Sequence, residues 1–197
     1  MKITGKGLLL LLTLAGVAGV CWWRSSIPHG NQVEQPGQAA VAGIPRYAPM
    51  RLDIPAVIDP QLEYADEVAL DDEAIVIGIV VNGEPRAYLR DAFEMDPRLH
   101  VVTDSIDSTP VAITHCDRIR CTRVLTGPQL EDLDSIRVGG WRADQTLALI
   151  VGEEEYSQKS PEIPLADVPY LEIPWSQWRE LFPESLVYVG VENKSSG

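Results

Sequence analysis

The alternation of apolar and polar positions predicts β-strands over most of the chain. Residues 74–81 form an apolar run rich in β-branched side chains, and Asn82-Gly83 separates it from a second run that begins at Pro85. An Asn-Gly pair between two apolar runs indicates a hairpin, because both turn positions need positive φ. Pro85 has no backbone N–H, so the returning strand should begin at an edge or at an unpaired site.

Further strands are predicted in the middle of the chain. Residues 100–106 and 110–116 form a hairpin around residues 107–109, and residues 121–126 continue the sheet. Residues 133–151 contain two more strands. Gly139-Gly140-Trp141 within them is interpreted as a tight turn whose aromatic side chain packs into the core. Residues 153–169 have the composition of a loop.

Two short helices complete the pattern. Residues 89–95 are compatible with one of them. Trp175, Trp178 and Phe182 fall at helical spacing, with Ser176 as a possible N-cap and Pro183 ending the helix. Residues 186–191 form a last strand. The fold class predicted is mainly β (α+β), a twisted antiparallel sheet or an open barrel with one or two short packed helices.

The N-terminus predicts a membrane anchor. The 17 residues Gly7–Trp23 carry no charge and follow Lys2 and Lys6, a length just sufficient to span a bilayer with a cytoplasmic N-terminus. A cleaved signal peptide and lipidation at Cys21 remain as alternatives. Each alternative exports the domain, so we expect a single-pass protein of the inner membrane whose domain faces the periplasm.

The composition then divides the chain. Residues 1–24 are the predicted anchor or signal peptide, and residues 25–60, rich in Pro, Gly, Gln and Ala, are a predicted extracytoplasmic linker. Residues 61–192 are the predicted β-rich domain, and residues 193–197 are predicted to be a disordered tail.

The charge is strongly asymmetric. All 29 acidic residues follow Arg24, whereas Lys2, Lys6 and Arg24 account for three of the 16 basic ones, so the exported part has a formal charge of -16. Such a field repels phosphate backbones, so nucleic acid is not an expected partner. The only partners we expect are the lipid bilayer, through residues 7–23, and an envelope ligand or protein of unknown identity.

Cys116 and Cys121 are the most informative candidates for chemistry. If residues 111–116 and 121–126 are the arms of a hairpin, the two cysteines face each other with Cα atoms about 4.5 to 5.5 Å apart, a separation that a disulfide accepts. A disulfide, a metal site, a reactive thiol pair and buried thiols all remain open. A metal site needs more ligands than two cysteines. His115 points to the other face of a regular strand, whereas His100 could approach the pair from the neighbouring strand. Two Cys and one His suit copper better than a structural zinc site, which needs four ligands.

The motifs of the chain resemble a known family. VIGIVVNGEPRAY (76–88), HVVTDSIDSTPVAITHCDRIRC (100–121), SPEIPL (160–165) and WSQWRELFPESLVY (175–188) are similar in order and spacing to the DUF3179 family of uncharacterised bacterial exported proteins. The resemblance implies a family and no activity. The positions that match its motifs, and are therefore candidates for the cysteine pair or for ligand binding, are Arg86, Tyr88, Asp104, Cys116, Cys121 and Gln158. His115 and Phe182 depart from the family pattern, in which Tyr and His are common.

These observations favour a binding protein over an enzyme. No nucleophile–base pair or catalytic motif is recognisable, and no cofactor is predicted. We expect a membrane-anchored extracytoplasmic module that binds a ligand or partner and contains a Cys116–Cys121 disulfide. The alternative is a copper-handling or thiol-redox protein that uses Cys116, Cys121 and His100.

Overall fold

The computed structural model describes residues 48–190, which form 14 strands and one α-helix. The strands are β1 (Met50–Pro55), β2 (Val57–Ile58), β3 (Glu63–Tyr64), β4 (Ile75–Val81), β5 (Glu84–Leu89), β6 (Val101–Ile106), β7 (Thr109–Cys116), β8 (Cys121–Thr126), β9 (Ile136–Trp141), β10 (Leu147–Val151), β11 (Glu154–Ser157), β12 (Ala166–Asp167), β13 (Tyr170–Pro174) and β14 (Leu186–Tyr188). The helix is α1 (Trp175–Leu181), and 3₁₀ turns lie at Arg90–Glu94, Pro97–Leu99 and Pro128–Leu130.

The strands form three open sheets. Sheet A has the order β1-β9-β10-β11, sheet B the order β12-β8-β7-β6-β2, and sheet C the order β13-β4-β5-β14-β3. Most neighbours are antiparallel, but β14 runs parallel to β5 and β2 runs parallel to β6. The mainly β fold with a short packed helix is therefore confirmed, whereas a single purely antiparallel sheet is not what forms.

The sheets stack because the strands of sheet B are apolar on both faces. Along β7, Ala112 and Cys116 pack in a core cluster with residues of sheet A, while Val111 and Ile113 pack in a second cluster with residues of sheet C. This alternation is the period of two expected for a strand. Sheet B is therefore the central layer, and such a doubly covered strand reads as a continuous apolar run.

A third core cluster covers the far side of sheet C. Trp175 and Trp178 of α1 are both fully buried there, against Val76, Ala87 and Val187. The predicted helix is thus confirmed, with one difference at its start: Pro174 is the N-cap, and no side chain caps the helix. Ser176 lies within the first turn.

Both predicted hairpins form, the first with its predicted turn and the second with a turn of two residues, Asp107 and Ser108, where residues 107–109 were predicted. Asn82 and Gly83 both have positive φ, and so do Asp107 and Ser108 in the turn between β6 and β7. Val81 pairs with Glu84, and Ile106 pairs with Thr109. Two-residue turns of this handedness match the twist of the flanking strands, which explains why the sequence signal is reliable here.

Two expectations about connections need correction. Residues 153–169 were predicted as a loop but include β11 and β12, whose pairs are only four and two residues long. The linker was predicted to extend to residue 60, but β1 and β2 pair with β9 and β6, so the fold begins before residue 61. Short edge strands carry too few residues for a periodic pattern to develop.

Gly139-Gly140 does not form the tight turn that was predicted. Both glycines lie within β9, where its register with β1 and β10 shifts. Gly140 has φ of +96°, and a Cβ at this position would lie 2.0 Å from the carbonyl oxygen of Met50. The irregularity allows Trp141 as well as Val138 to pack into the core between sheets A and B.

The predicted membrane anchor and the tail lie outside the described residues. Between residues 48 and 190, no helix combines the length and the apolar character that a membrane span requires.

Candidate functional site

The hairpin between β7 and β8 places the two cysteines directly opposite each other. Cys116 pairs with Cys121 in the register of the two strands, as the sequence predicted. Both residues are buried, and no disulfide joins them in this structure. The Sγ of Cys116 instead lies 3.6 Å from the backbone oxygen of Gln145. The expected geometry is therefore present, while the expected bond is not formed in this structure.

The turn between the cysteines is less exposed than its charge suggested. Asp117, Arg118 and Ile119 are half-buried, and only Arg120 is exposed. The guanidinium carbon of Arg118 lies 4.2 Å from the ring centroid of Trp141, and Ile119 packs against the core between sheets A and B. Three charged residues in a four-residue turn would suit an exposed loop tip, but Arg118 stacks on an aromatic ring and Ile119 packs into the core.

His100 does not complete a metal site with the cysteines. Its Nε2 lies 3.7 Å from Oδ1 of Asp117, and its ring meets the ring of Trp141 edge-on at 5.3 Å. Within residues 48–190, no group of three or more His, Cys, Asp and Glu side chains is arranged to hold a metal ion. Burial raises the pKa of the Cys116 thiol, which disfavours the thiolate that metal binding and redox exchange both use.

Arg86, Tyr88 and Asp104, three of the positions that match the family motifs, come together in the structure. Oδ2 of Asp104 accepts hydrogen bonds from Nη1 of Arg86 and from the hydroxyl of Tyr88, both at 2.7 Å. Oδ1 accepts from the backbone N–H of Ser105. Arg86 and Tyr88 belong to sheet C and Asp104 to sheet B, so the cluster joins two stacked sheets. Its side chains satisfy one another, so the cluster acts as a structural connection rather than an open site.

Burial, followed by the charge of Asp104, raises the pKa of Tyr88 well above its ordinary value. The phenol therefore remains protonated and continues to donate its hydrogen bond to Asp104. A short charge-assisted contact of this kind is among the stronger hydrogen bonds in proteins.

Gln158 lies apart from that cluster, on the other side of sheet B. Its Nε2 contacts the backbone oxygens of Thr114 and Cys121 and the hydroxyl of Thr114. Arg123 donates to the backbone oxygen of Gln158 at 2.9 Å. Gln158 therefore ties the start of β8 to the segment after β11, and the four candidate ligand-binding residues do not form one site.

The structure assembles a polar network around His115 that the sequence did not reveal. Nδ1 of His115 lies 2.9 Å from the hydroxyl of Thr122, and Nε2 lies 3.2 Å from Oε1 of Glu94. The Thr122 hydroxyl also contacts Glu172, and Arg120 contacts Glu94. His115 and Thr122 are cross-strand partners, so a correct hairpin register indicates that pair. Glu94 and Glu172 lie far from His115 in the sequence, so the sequence around His115 does not indicate that they contact this network.

This network has the order carboxylate, imidazole, hydroxyl, which is also the order of a catalytic triad. Two features argue for a structural role. The Thr122 hydroxyl is engaged by Glu172 as well as by His115, and both His115 and Thr122 are buried. Burial is the largest influence on His115 and lowers its pKa, although Glu94 and Glu172 oppose the effect.

A cavity of about 370 Å³ lies on sheet A. It is bordered by the start of β1, the irregular part of β9, β10 and β11, and its lining includes Arg51, Gly139, Trp141, Arg142 and Ala148. The sequence singled out Gly139-Gly140-Trp141 without placing them at a cavity, because the four strands concerned are far apart along the chain.

The fold and these contacts define a mainly β domain of three stacked sheets with a cysteine pair across a central hairpin. Residues 51–121 match the family model DUF3179, described as a protein of unknown function, so the family that the motifs indicated is confirmed for this part of the chain. The matched segment ends at Cys121, so Gln158 and α1 lie beyond it. No curated protein and no solved structure matches the chain.

Proposed function

We propose that this protein is a non-catalytic ligand-binding module of the cell envelope, anchored in the inner membrane by residues 7–23 and exposed on the extracytoplasmic side. The cavity on sheet A is the observation that carries the proposal. Its volume of about 370 Å³ falls within the range of small-molecule sites, and exposed residues such as Arg51 and Arg142 form part of its lining.

The arrangement of the polar residues supports binding over catalysis. The carboxylate of Asp104 is satisfied by Arg86 and Tyr88, and His115 is held between Thr122 and Glu94. These groups are buried and paired inside the protein, whereas a catalytic group must reach its substrate. The copper or thiol-redox alternative gains no comparable support, since His100 is directed to Asp117 and the pKa of Cys116 is raised.

A disulfide between Cys116 and Cys121 belongs to this proposal. The two residues are opposite each other on antiparallel strands, and export would bring them into a compartment in which disulfides persist. Closing so short a loop contributes about 2 kcal/mol to stability. The bond would therefore stabilise the end of the β7–β8 hairpin only modestly.

Thermal unfolding of the full chain tests the binding function. A ligand that binds only the folded state raises the melting temperature by mass action. We expect stabilisation by the small-molecule fraction of an envelope extract and none by the cytosolic fraction of the same cells. Equal melting temperatures in buffer and in the envelope fraction would contradict the proposal.

Metal analysis of the same preparation tests the alternative. We expect no stoichiometric copper. One copper ion per chain in the wild-type protein that is lost from the Cys116→Ser variant would support the copper-handling function instead. Fractionation and intact mass test the anchor, and a soluble mature protein starting near Val20 would contradict it.

A further inference from the structure

The cavity lies on the face of sheet A that points away from sheet B. Leu149 of β10 and Tyr156 of β11 pack against the core between the two sheets. Their neighbours Ala148 and Glu155 line the cavity, and neighbouring side chains on a strand point to opposite faces. The cavity is therefore separated by sheet A from the cysteine pair.

Small residues make this depression possible. Gly139 lies where β9 and β10 change register, and Ala148 is its neighbour on β10. A Cβ on Gly139 would lie only 3.0 Å from the Cβ of Ala148. The absence of side-chain bulk leaves a floor of backbone and one methyl group, while Arg142 and Glu155 provide longer side chains around it.

Trp141 separates the cavity from the core. The residue is only 5% exposed, and its side chain packs in the core between sheets A and B. Arg118 and His100 contact its ring on that side. Its indole Nε1 is buried, so Trp141 is not a donor for a ligand in the cavity.

The charges around the cavity leave one cation uncompensated. Arg142 donates to Glu155 at 2.9 Å, and the carboxylate of Asp144 accepts from the backbone and the hydroxyl of Thr146. Arg51 is exposed, and its side chain makes no ion pair or hydrogen bond with any residue between 48 and 190, although its backbone pairs with β9. An uncompensated guanidinium is notable in a chain whose formal net charge is -13.

We propose that this cavity binds a small molecule that carries a single carboxylate on a compact apolar body. The inference rests on the proposed binding function and specifies its ligand class. The Arg51 guanidinium supplies the donors for the carboxylate, and Gly139 with Ala148 supplies a floor for the apolar part. A single negative charge fits better than a phosphate dianion, because Asp144 and Glu155 border the same space.

Titration calorimetry of the full chain in detergent micelles tests this inference, with phenylacetate as the probe. Phenylacetamide has the same shape without the charge, and inorganic phosphate has the charge without the apolar body. Phenylacetate should bind saturably and about tenfold or more tightly than phenylacetamide, as expected when a charged hydrogen bond is lost. Phosphate should not compete with it.

Variants locate the binding site. Arg51→Gln should weaken phenylacetate binding about tenfold or more, since it removes the charged donor from an exposed position where folding is not at risk. Arg179→Gln, an equal loss of charge on the exposed face of α1, is the matched control and should bind like the wild type.

Three results would overturn the inference: no saturable binding of phenylacetate to the wild type, equal affinity for phenylacetamide, or unchanged affinity in Arg51→Gln. Its failure is distinguishable from that of the proposed function. If Arg51→Gln still gains thermal stability from the envelope fraction as the wild type does, the binding function stands and its ligand does not depend on Arg51.

Discussion

At the scale of single residues, the buried polar side chains hold the stacked sheets together. Asp104 is 4% exposed and provides the acceptors for Arg86, Tyr88 and the backbone of Ser105. The sequence motifs singled out Arg86 and Asp104 as candidate ligand-binding residues. They did not indicate that the pair connects two sheets, because the stacking of β5 on β6 depends on the whole apolar pattern.

Replacing Asp104 should be strongly destabilising. Asp104→Asn leaves the guanidinium of Arg86 largely buried without its counter-charge, so we expect a loss of about 3 to 5 kcal/mol in the free energy of unfolding. Asp53→Asn, which disrupts an exposed pair with Arg137, is the control and should cost under about 1 kcal/mol. Urea unfolding measures both values, and equal effects would show that the Asp104 cluster has no special role.

The two buried histidines predict how stability depends on pH. Burial is the main cause that lowers the pKa of His100, against the influence of Asp117, and it also lowers the pKa of His115 despite Glu94 and Glu172. Arg118 also lowers the pKa of His100, and Arg90 lowers the pKa of His115. Below the unfolded pKa of about 6.5, the unfolded chain binds protons that the folded protein does not.

The resulting stability is fully present above about pH 6.5 and is lost as the pH falls towards the folded pKa values. We therefore expect a lower free energy of unfolding at about pH 5.5 than at about pH 7.5. The double variant His100→Gln, His115→Gln should show a smaller decrease over the same interval. An equal decrease in the variant would mean that other groups cause the pH dependence.

Among the secondary-structure elements, α1 explains why a glycine, Gly78, interrupts the apolar run of β4. Gly78 lies in the middle of β4, and a Cβ there would be 2.1 Å from Cζ3 of Trp178. The indole therefore packs directly on bare backbone. The helix itself was predictable from the spacing of Trp175, Trp178 and Phe182, whereas its docking on Gly78 was not, since the two segments are far apart along the chain.

Gly78 and Trp178 should therefore be energetically coupled. Trp178→Ala should cost about 3 to 5 kcal/mol as a buried aromatic deletion, and Gly78→Ala about 1 to 3 kcal/mol or more through overpacking. Gln177→Ala, an exposed site on the same helix, should stay within about 0.5 kcal/mol. In a double-mutant cycle, Gly78→Ala should cost less in the Trp178→Ala background. Additive effects would contradict the packing described.

The β7–β8 hairpin gives a covalent prediction. Cys116 and Cys121 should be joined in the exported protein, so denaturation in an alkylating reagent without reductant should leave the peptide that contains both residues unmodified and lighter by two hydrogens. The Cys116→Ser variant is the control, because it should acquire one alkyl group on Cys121. Two alkyl groups on the wild-type peptide would show that the disulfide is absent.

For the whole molecule, turn residues in the sequence predicted the long hairpins. The order in which the three sheets stack could not be predicted from these local signals. Turn chemistry at Asn82-Gly83 and Asp107-Ser108 fixed the register of β4–β5 and β6–β7. The short strands β2, β11 and β12, and the parallel pairing of β14 with β5, depend on tertiary contacts. The cavity on sheet A arises from residues of four strands and required the assembled structure.

We propose that this molecule binds a small ligand in the cell envelope and does not carry copper. Native mass spectrometry of the full chain, purified in detergent from the membrane in which it was made, distinguishes these functions. We expect a complex heavier than the polypeptide by one small organic molecule, which is lost on denaturation. The bare polypeptide alone, or the polypeptide with one copper ion that disappears in Cys116→Ser, would contradict it.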